Sequence, residues 1–155
     1  MQIQSAQEAL FIAIEMERRA VQLYGRALSL LREQGREAEP LFAMLLKTRA
    51  DELGHLEQFK SLYVGMEEAL ERQLILGAVS NGLLFEGGLM EAVRKGILQD
   101  IPSMLRYAVQ EEEHAAAAYR SFALQCQDEK AKEALLSIAS EEDQHLHSLK
   151  ENYES

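Results

Sequence analysis

The chain has 155 residues, 47% of them hydrophobic, which suits one domain over residues 1–155 with a core that needs no disulfides. Acidic residues number 26 and basic residues 16, and the resulting net charge of −10 argues against a nucleic-acid partner and is compatible with the handling of cations. The single cysteine, Cys126, favours a reducing compartment. Because no run of about 18 apolar residues occurs and charge appears too early for a secretory signal, we expect a cytoplasmic protein without a membrane partner.

The ends of the first two helices are marked in the sequence. Runs of Ala, Leu, Glu, Gln, Lys and Arg, with only two prolines, predict helix throughout. Helix A begins at Ser5, whose hydroxyl and Glu8 three residues later make a capping box, and it ends near Gly35. Helix B has Pro40 in its first turn, where the missing N–H costs nothing, and it closes at Gly65.

The last two helices have similar signals. Asp100 and Pro102 mark the start of helix C, which runs to about Cys126. Asp128 then caps helix D, which continues almost to the C-terminus. Because the A–B and C–D connections are short, each pair is expected to form an antiparallel hairpin.

A long connection separates the two hairpins, from about Gly65 to Ile101. It is far longer than an ordinary loop, so it can travel the length of a bundle and start helix C alongside helix B. The apolar, glycine-rich segment 74–98 within it is expected to pack across the bundle or against a second copy of the chain. The second arrangement predicts a homodimer or a higher homo-oligomer.

Each of the four helices has an apolar face with a period near 3.6 residues, and a glutamate interrupts each face near its middle. Helices B and D also carry a histidine three positions after the glutamate, on the same side of the helix. The interrupting residues are Glu17, Glu52 with His55, Glu112, and Glu142 with His145.

The chain contains an internal repeat, in which helices A and B correspond to helices C and D. A shift of 95 residues places helix A on helix C, and it pairs Glu17 with Glu112 and Tyr24 with Tyr119. A shift of 90 residues places 45–63 on 135–153 with seven identities in nineteen positions, among them both Glu-x-x-His pairs. The polar interruptions therefore belong to a duplicated helical hairpin.

A third Glu-x-x-His pair, Glu111 with His114, does not belong to this pattern. It lies about 100° around helix C from the apolar stripe. Helix A has no counterpart for it, because Arg19 stands where the repeat would place His114. We interpret this pair as solvent-exposed.

Antiparallel packing of the hairpins in a four-helix bundle brings the four glutamates and two histidines to one level. Four buried carboxylates without partners would take up protons or unfold the core, whereas two divalent cations match their charge. Oxygen-rich ligation with one imidazole for each metal favours iron, with manganese as the alternative, over structural zinc.

Tyr24 and Tyr119 lie two turns beyond Glu17 and Glu112. Side chains on a helix lean towards its N-terminus, so each ring can reach back and hydrogen-bond a ligand carboxylate on a neighbouring helix. The alternative is that both tyrosines are ordinary core aromatics.

With these residues in place, the chain resembles the rubrerythrin-type branch of the ferritin-like superfamily over nearly its whole length. The carriers are AIEMERRAVQLY in helix A, DELGHLEQF in B, VQEEEHAAAAY in C and EEDQHLHSL in D. The resemblance implies a ferritin-like four-helix bundle with a non-haem di-iron centre. In that centre Glu52 and Glu142 bridge the metals, Glu17 and Glu112 are terminal carboxylates, and His55 and His145 each complete one iron.

Two departures from the family affect the expected activity. Rubrerythrins carry a four-cysteine rubredoxin domain that delivers electrons, and this sequence has one cysteine. They also carry a further helix-C glutamate where this chain has Ala115. We therefore expect a di-iron oxidoreductase, of peroxidase or ferroxidase type, that oxidises Fe(II) with hydrogen peroxide or dioxygen and uses an external electron-donor protein. The alternative is a non-enzymatic iron-binding or iron-storage protein.

Overall fold

The computed structural model describes residues 1–84, 88–96 and 98–154, and all of the regular secondary structure in these residues is α-helical. The predicted all-α class is therefore confirmed. The helices are α1 (Ala6–Glu33), α2 (Pro40–Leu62), α3 (Glu68–Ser80), α4 (Gly88–Arg94), α5 (Ile101–Gln125) and α6 (Glu129–Glu154). Within the described residues, no helix combines the length and the apolarity that crossing a membrane requires.

Helix α1 begins and ends near the predicted positions. Ser5 Oγ accepts a hydrogen bond from the Glu8 N–H at 3.2 Å, as a capping residue should. The Glu8 carboxylate accepts from the N–H of Gln4 rather than from that of Ser5, so the capping box is only half formed. The chain leaves the helix through Gly35, whose φ of 68° is in the left-handed region that favours glycine.

The other long helices are capped as predicted, with one exception. Asp100 accepts from the Ser103 N–H at 2.8 Å, and Asp128 accepts from the Ala131 N–H at 3.0 Å. Helix α2 ends at Leu62 and not at Gly65, because the backbone is already extended at the residue after Leu62. The prediction of that boundary was wrong by three residues.

The four long helices form an antiparallel ring. The start of α1 meets the end of α2, where Gln7 donates to the Leu62 carbonyl at 3.2 Å. Helices α5 and α6 are joined by the ion pair between Lys150 and Glu113. Helix α1 also packs against α5, and α2 packs against α6. The predicted hairpins are thus confirmed as neighbours in an all-helical bundle.

The crossover from α2 to α5 contains two helices, α3 and α4, that the sequence reading did not predict. Both pack against α1. Leu74 and Ala78 of α3 join the apolar cluster at one end of the bundle, and Ala92 of α4 joins the cluster at the other end. The expectation that the crossover spans the bundle is confirmed. Residues 85–87 and 97 of the predicted segment 74–98 lie outside the described residues.

The position of α5 differs from the expectation that it starts alongside α2. Helices α2 and α5 each pack closely against α1 and α6. They meet each other only across the core, through side chains such as the rings of Phe59 and Tyr119, whose centroids are 5.4 Å apart. They therefore occupy diagonal corners and run in the same direction.

The core is divided into two apolar clusters by a polar layer. One cluster holds Leu10, Phe59 and Phe122, and the other holds Leu31, Leu45 and Leu105. Along every long helix the chain passes from one cluster to the other at the site glutamate. The polar layer is the level at which the sequence predicts a metal site.

Candidate metal centre

The six predicted ligands are all buried in this polar layer. The most exposed is His145, at 6%, and Glu52 is at 0%. Helices α1 and α5 supply one glutamate each, while α2 and α6 supply a glutamate and a histidine each. Because three residues are nearly one helical turn, each glutamate and histidine of a pair point to the same side.

The donor atoms fall into two groups of four, and in each group the atoms lie within 4.8 Å of one another. Each group contains one glutamate from α1 or α5 and one histidine, and both groups contain Glu52 and Glu142. The groups are Glu17, Glu52, His55 and Glu142, and Glu52, Glu112, Glu142 and His145. These buried carboxylate and imidazole groups could hold a metal ion.

The two histidines are arranged reciprocally. His55 Nδ1 lies 2.9 Å from Glu142 Oε1, and His145 Nδ1 lies 2.7 Å from Glu52 Oε1. The ring centroids are 5.8 Å apart and the rings are inclined by 25°. Each Nδ1 therefore faces the glutamate of the opposite hairpin, as the twofold repeat requires.

The two tyrosines are also arranged reciprocally, between α1 and α5. The Tyr119 hydroxyl donates to Glu17 Oε1 at 2.9 Å, and the Tyr24 hydroxyl donates to Glu112 Oε1. Both rings are also buried in the core, so the predicted hydrogen bonds and the alternative core position are both correct. Burial and then the nearby carboxylate charge raise the pKa of both hydroxyls well above the usual range. They therefore remain neutral hydrogen-bond donors.

Sequence reasoning missed two carboxylates behind the histidines, Asp51 and Glu141. His145 Nε2 lies 3.0 Å from Asp51 Oδ2, in hydrogen-bonding geometry. His55 Nε2 lies 3.2 Å from Glu141 Oε2, at ion-pair distance but without hydrogen-bond alignment. When a carboxylate accepts a hydrogen bond from the Nε2–H of a histidine, the lone pair on Nδ1 of the same ring is free to bind a metal. The available signal was an acidic residue directly before the glutamate in both repeats.

The carboxylates of the centre strongly perturb one another. Burial, followed by the charges of the other site glutamates, raises the pKa of Glu52 and Glu142 well above the usual range. Burial acts to raise the pKa of Glu112 as well, but favourable interactions with Glu142, His145 and the Tyr24 hydroxyl outweigh it and lower that pKa. Without a cation, the centre therefore retains protons on some of its carboxylates.

Many polar atoms of the centre lack a hydrogen-bond partner within the described part of the chain. They include both oxygens of Glu52, one oxygen on each of the other three glutamates, and Nδ1 of both histidines. Buried polar atoms are almost always paired, so such a concentration points to another kind of partner. Carboxylate oxygens and imidazole nitrogens, with no thiolate, form a donor set that suits iron or manganese.

The Glu111–His114 pair lies outside both donor groups. Its two side chains are 25% and 52% exposed, and the nearest atoms are 3.9 Å apart. The interpretation of this pair as solvent-exposed is correct for His114 but wrong for Glu111, which is only partly exposed and lies beside the site glutamates.

Comparisons of the chain with protein-family models, with curated proteins and with solved structures gave no match. The resemblance to rubrerythrin-type proteins therefore rests on the residues quoted above and stays a prediction.

Proposed function

We propose that this protein is a ferritin-like non-haem di-iron protein that oxidises Fe(II) and reduces hydrogen peroxide or dioxygen, with an external electron donor. The proposal is supported chiefly by one observation, the two donor groups that share Glu52 and Glu142. A carboxylate common to two adjacent positions is suited to bridge two cations. Glu17 with His55, and Glu112 with His145, would then complete one position each.

The ligand charge fits this proposal. Four glutamates balance two divalent cations, so metal binding replaces the protons that burial and repulsion otherwise hold on Glu52 and Glu142. Two ferrous ions would together supply the two electrons that, with two protons, reduce hydrogen peroxide to two water molecules.

The surrounding side chains position these ligands. Tyr24 and Tyr119 each donate to a terminal carboxylate and thereby fix its orientation. Asp51 and Glu141 face the outer nitrogens of the two imidazoles, which keeps each Nδ1 directed inwards. The apolar clusters on both sides of the layer exclude bulk water, which strengthens every electrostatic contact inside it.

The first experiment is an anaerobic titration of metal-free protein with Fe(II). Saturation at two ions per chain is expected, because there are two donor groups. Addition of hydrogen peroxide or dioxygen should then produce a near-ultraviolet ferric absorption within seconds. Bound iron that is not oxidised by either would contradict the oxidoreductase proposal. Accumulation of iron far beyond two ions per chain would favour storage instead.

A pair of variants tests the site itself. Glu52→Ala removes a carboxylate shared by both positions and should abolish iron binding. His114→Ala removes the exposed histidine of the third Glu-x-x-His pair and should leave the stoichiometry unchanged. An unchanged stoichiometry in Glu52→Ala would refute the assigned ligands.

A further inference from the structure

A small cavity adjoins the candidate metal centre on the side of α1 and α5. Its volume is about 20 Å³, room for about one water molecule or one ion. The four site glutamates and the two tyrosines line it, and the other lining residues are Met16, Ala20, Leu23, Ala115 and Glu111. The unpartnered oxygens of Glu52, which is fully buried, belong to this lining. The cavity is too small for an organic substrate but suits a single cation.

Most residues that line this cavity correspond to one another in the internal repeat, but at one pair an apolar residue corresponds to a glutamate. The shift of 95 residues pairs Ala20 with Ala115, and it pairs the glutamates and tyrosines of α1 with those of α5. It also pairs Met16 with Glu111. Met16 is 6% exposed and apolar, so that side of the lining is closed by a hydrophobic side chain. The equivalent place on α5 holds a carboxylate.

Glu111 contacts both the cavity and the solvent. Its side chain is 25% exposed, while the glutamate beside it, Glu112, is buried. The Tyr107 hydroxyl is hydrogen-bonded to the Glu111 carboxyl and holds it at this edge. Among the described residues that line the cavity, Glu111 is the one acidic residue outside the six predicted ligands.

We propose that Glu111 is a transit ligand, through which divalent cations pass from solvent into the buried centre. This inference rests on the proposed function, since it needs metal in that centre. A carboxylate that reaches both solvent and a buried site raises the local concentration of cations and replaces part of their hydration shell. Asp51 and Glu141 also reach solvent, but they lie behind the imidazole rings and do not line the cavity.

The test is the rate at which metal-free protein takes up Co(II), followed by stopped-flow visible absorption. Glu111→Gln should load about ten times more slowly, the order expected from loss of electrostatic steering, and still reach two ions per chain. Glu111→Met, which copies the residue of the other half, should slow loading at least as much. Glu111→Asp keeps the charge and should load almost as fast as the parent protein.

The matched control is Glu113→Gln, which removes a neighbouring carboxylate of α5 that pairs with Lys150 on the surface. It should load at the parent rate. Equal rates for Glu111→Gln and the parent, or equal slowing by Glu113→Gln, would overturn the transit role. A reduced final stoichiometry in Glu111→Gln would also overturn it, because Glu111 would then be a resident ligand. Failure of the parent protein to bind Co(II) at equilibrium would instead refute the metal centre.

Discussion

Replacing Glu52 by glutamine should change stability in opposite directions with and without metal. Glu52 is fully buried, neither of its oxygens has a hydrogen-bond partner, and the charges of three other glutamates act on it. In metal-free protein near neutral pH, folding of the parent requires Glu52 to take up a proton, whereas the amide is neutral before and after folding and can donate to a neighbouring carboxylate. A hydrogen bond to a charged group is worth about 1.5–3 kcal/mol, so we expect the metal-free variant to be more stable by roughly that amount.

With metal bound, the parent protein should be more stable than Glu52→Gln. Each ion bound at about a thousand times its dissociation constant stabilises the parent protein by about 4 kcal/mol, and the variant loses this gain. Urea unfolding followed by circular dichroism, with a chelator and then with Mn(II), measures both free energies. In thermal unfolding, a change of about 1 kcal/mol in the free energy of unfolding shifts the Tm by about 2–4 °C for a chain of this size.

Glu57→Gln is the control, because Glu57 is on the same helix but 72% exposed. It should change the free energy of unfolding by less than about 0.5 kcal/mol under both conditions. A metal-free Glu52→Gln variant less stable than the parent, or equal stabilisation of variant and parent by metal, would contradict this prediction.

Three other predictions concern the surroundings and titration of the centre. Tyr119→Phe removes the donor to Glu17 and should destabilise the protein by about 1.5–3 kcal/mol in urea unfolding; no change would mean that the bond contributes nothing. Asp51→Asn should weaken metal affinity about 10–100-fold in competition with a chelator, because the outer nitrogen of His145 loses its charged partner; unchanged affinity would contradict that role. In metal-free protein, folding raises the pKa of Glu52 and Glu142, so the free energy of unfolding should fall as pH rises above their ordinary pKa of 4.5. Metal affinity should rise over the same pH range, because metal binding displaces these protons. A free energy of unfolding that rises with pH would contradict this assignment.

The common layer of the six predicted ligands could be foreseen because two periodicities agree. Helical spacing places a glutamate in the middle of each apolar face, and the repeat shows which Glu-x-x-His pairs belong together. These signals are local, or they compare one part of the chain with another. They need no knowledge of which helix packs against which.

The features that the sequence did not predict depend on packing between helices. Asp51 and Glu141 lie about 100° around their helices from the glutamates they precede, where a carboxylate normally faces solvent. Only the antiparallel contact of α2 with α6 places them behind the imidazole rings. Helices α3 and α4 were missed for a related reason, since glycines interrupt the pattern and α1 stabilises both by contact.

The two overlapping donor groups divide unequally between the hairpins. The first hairpin supplies Glu17, Glu52 and His55 to one position but only Glu52 to the other, and the second hairpin does the converse. A single hairpin therefore needs only a second copy of itself to build the whole centre. Joining both copies in one chain frees each half to change alone, and the difference between Met16 and Glu111 shows one such change beside an otherwise symmetric site.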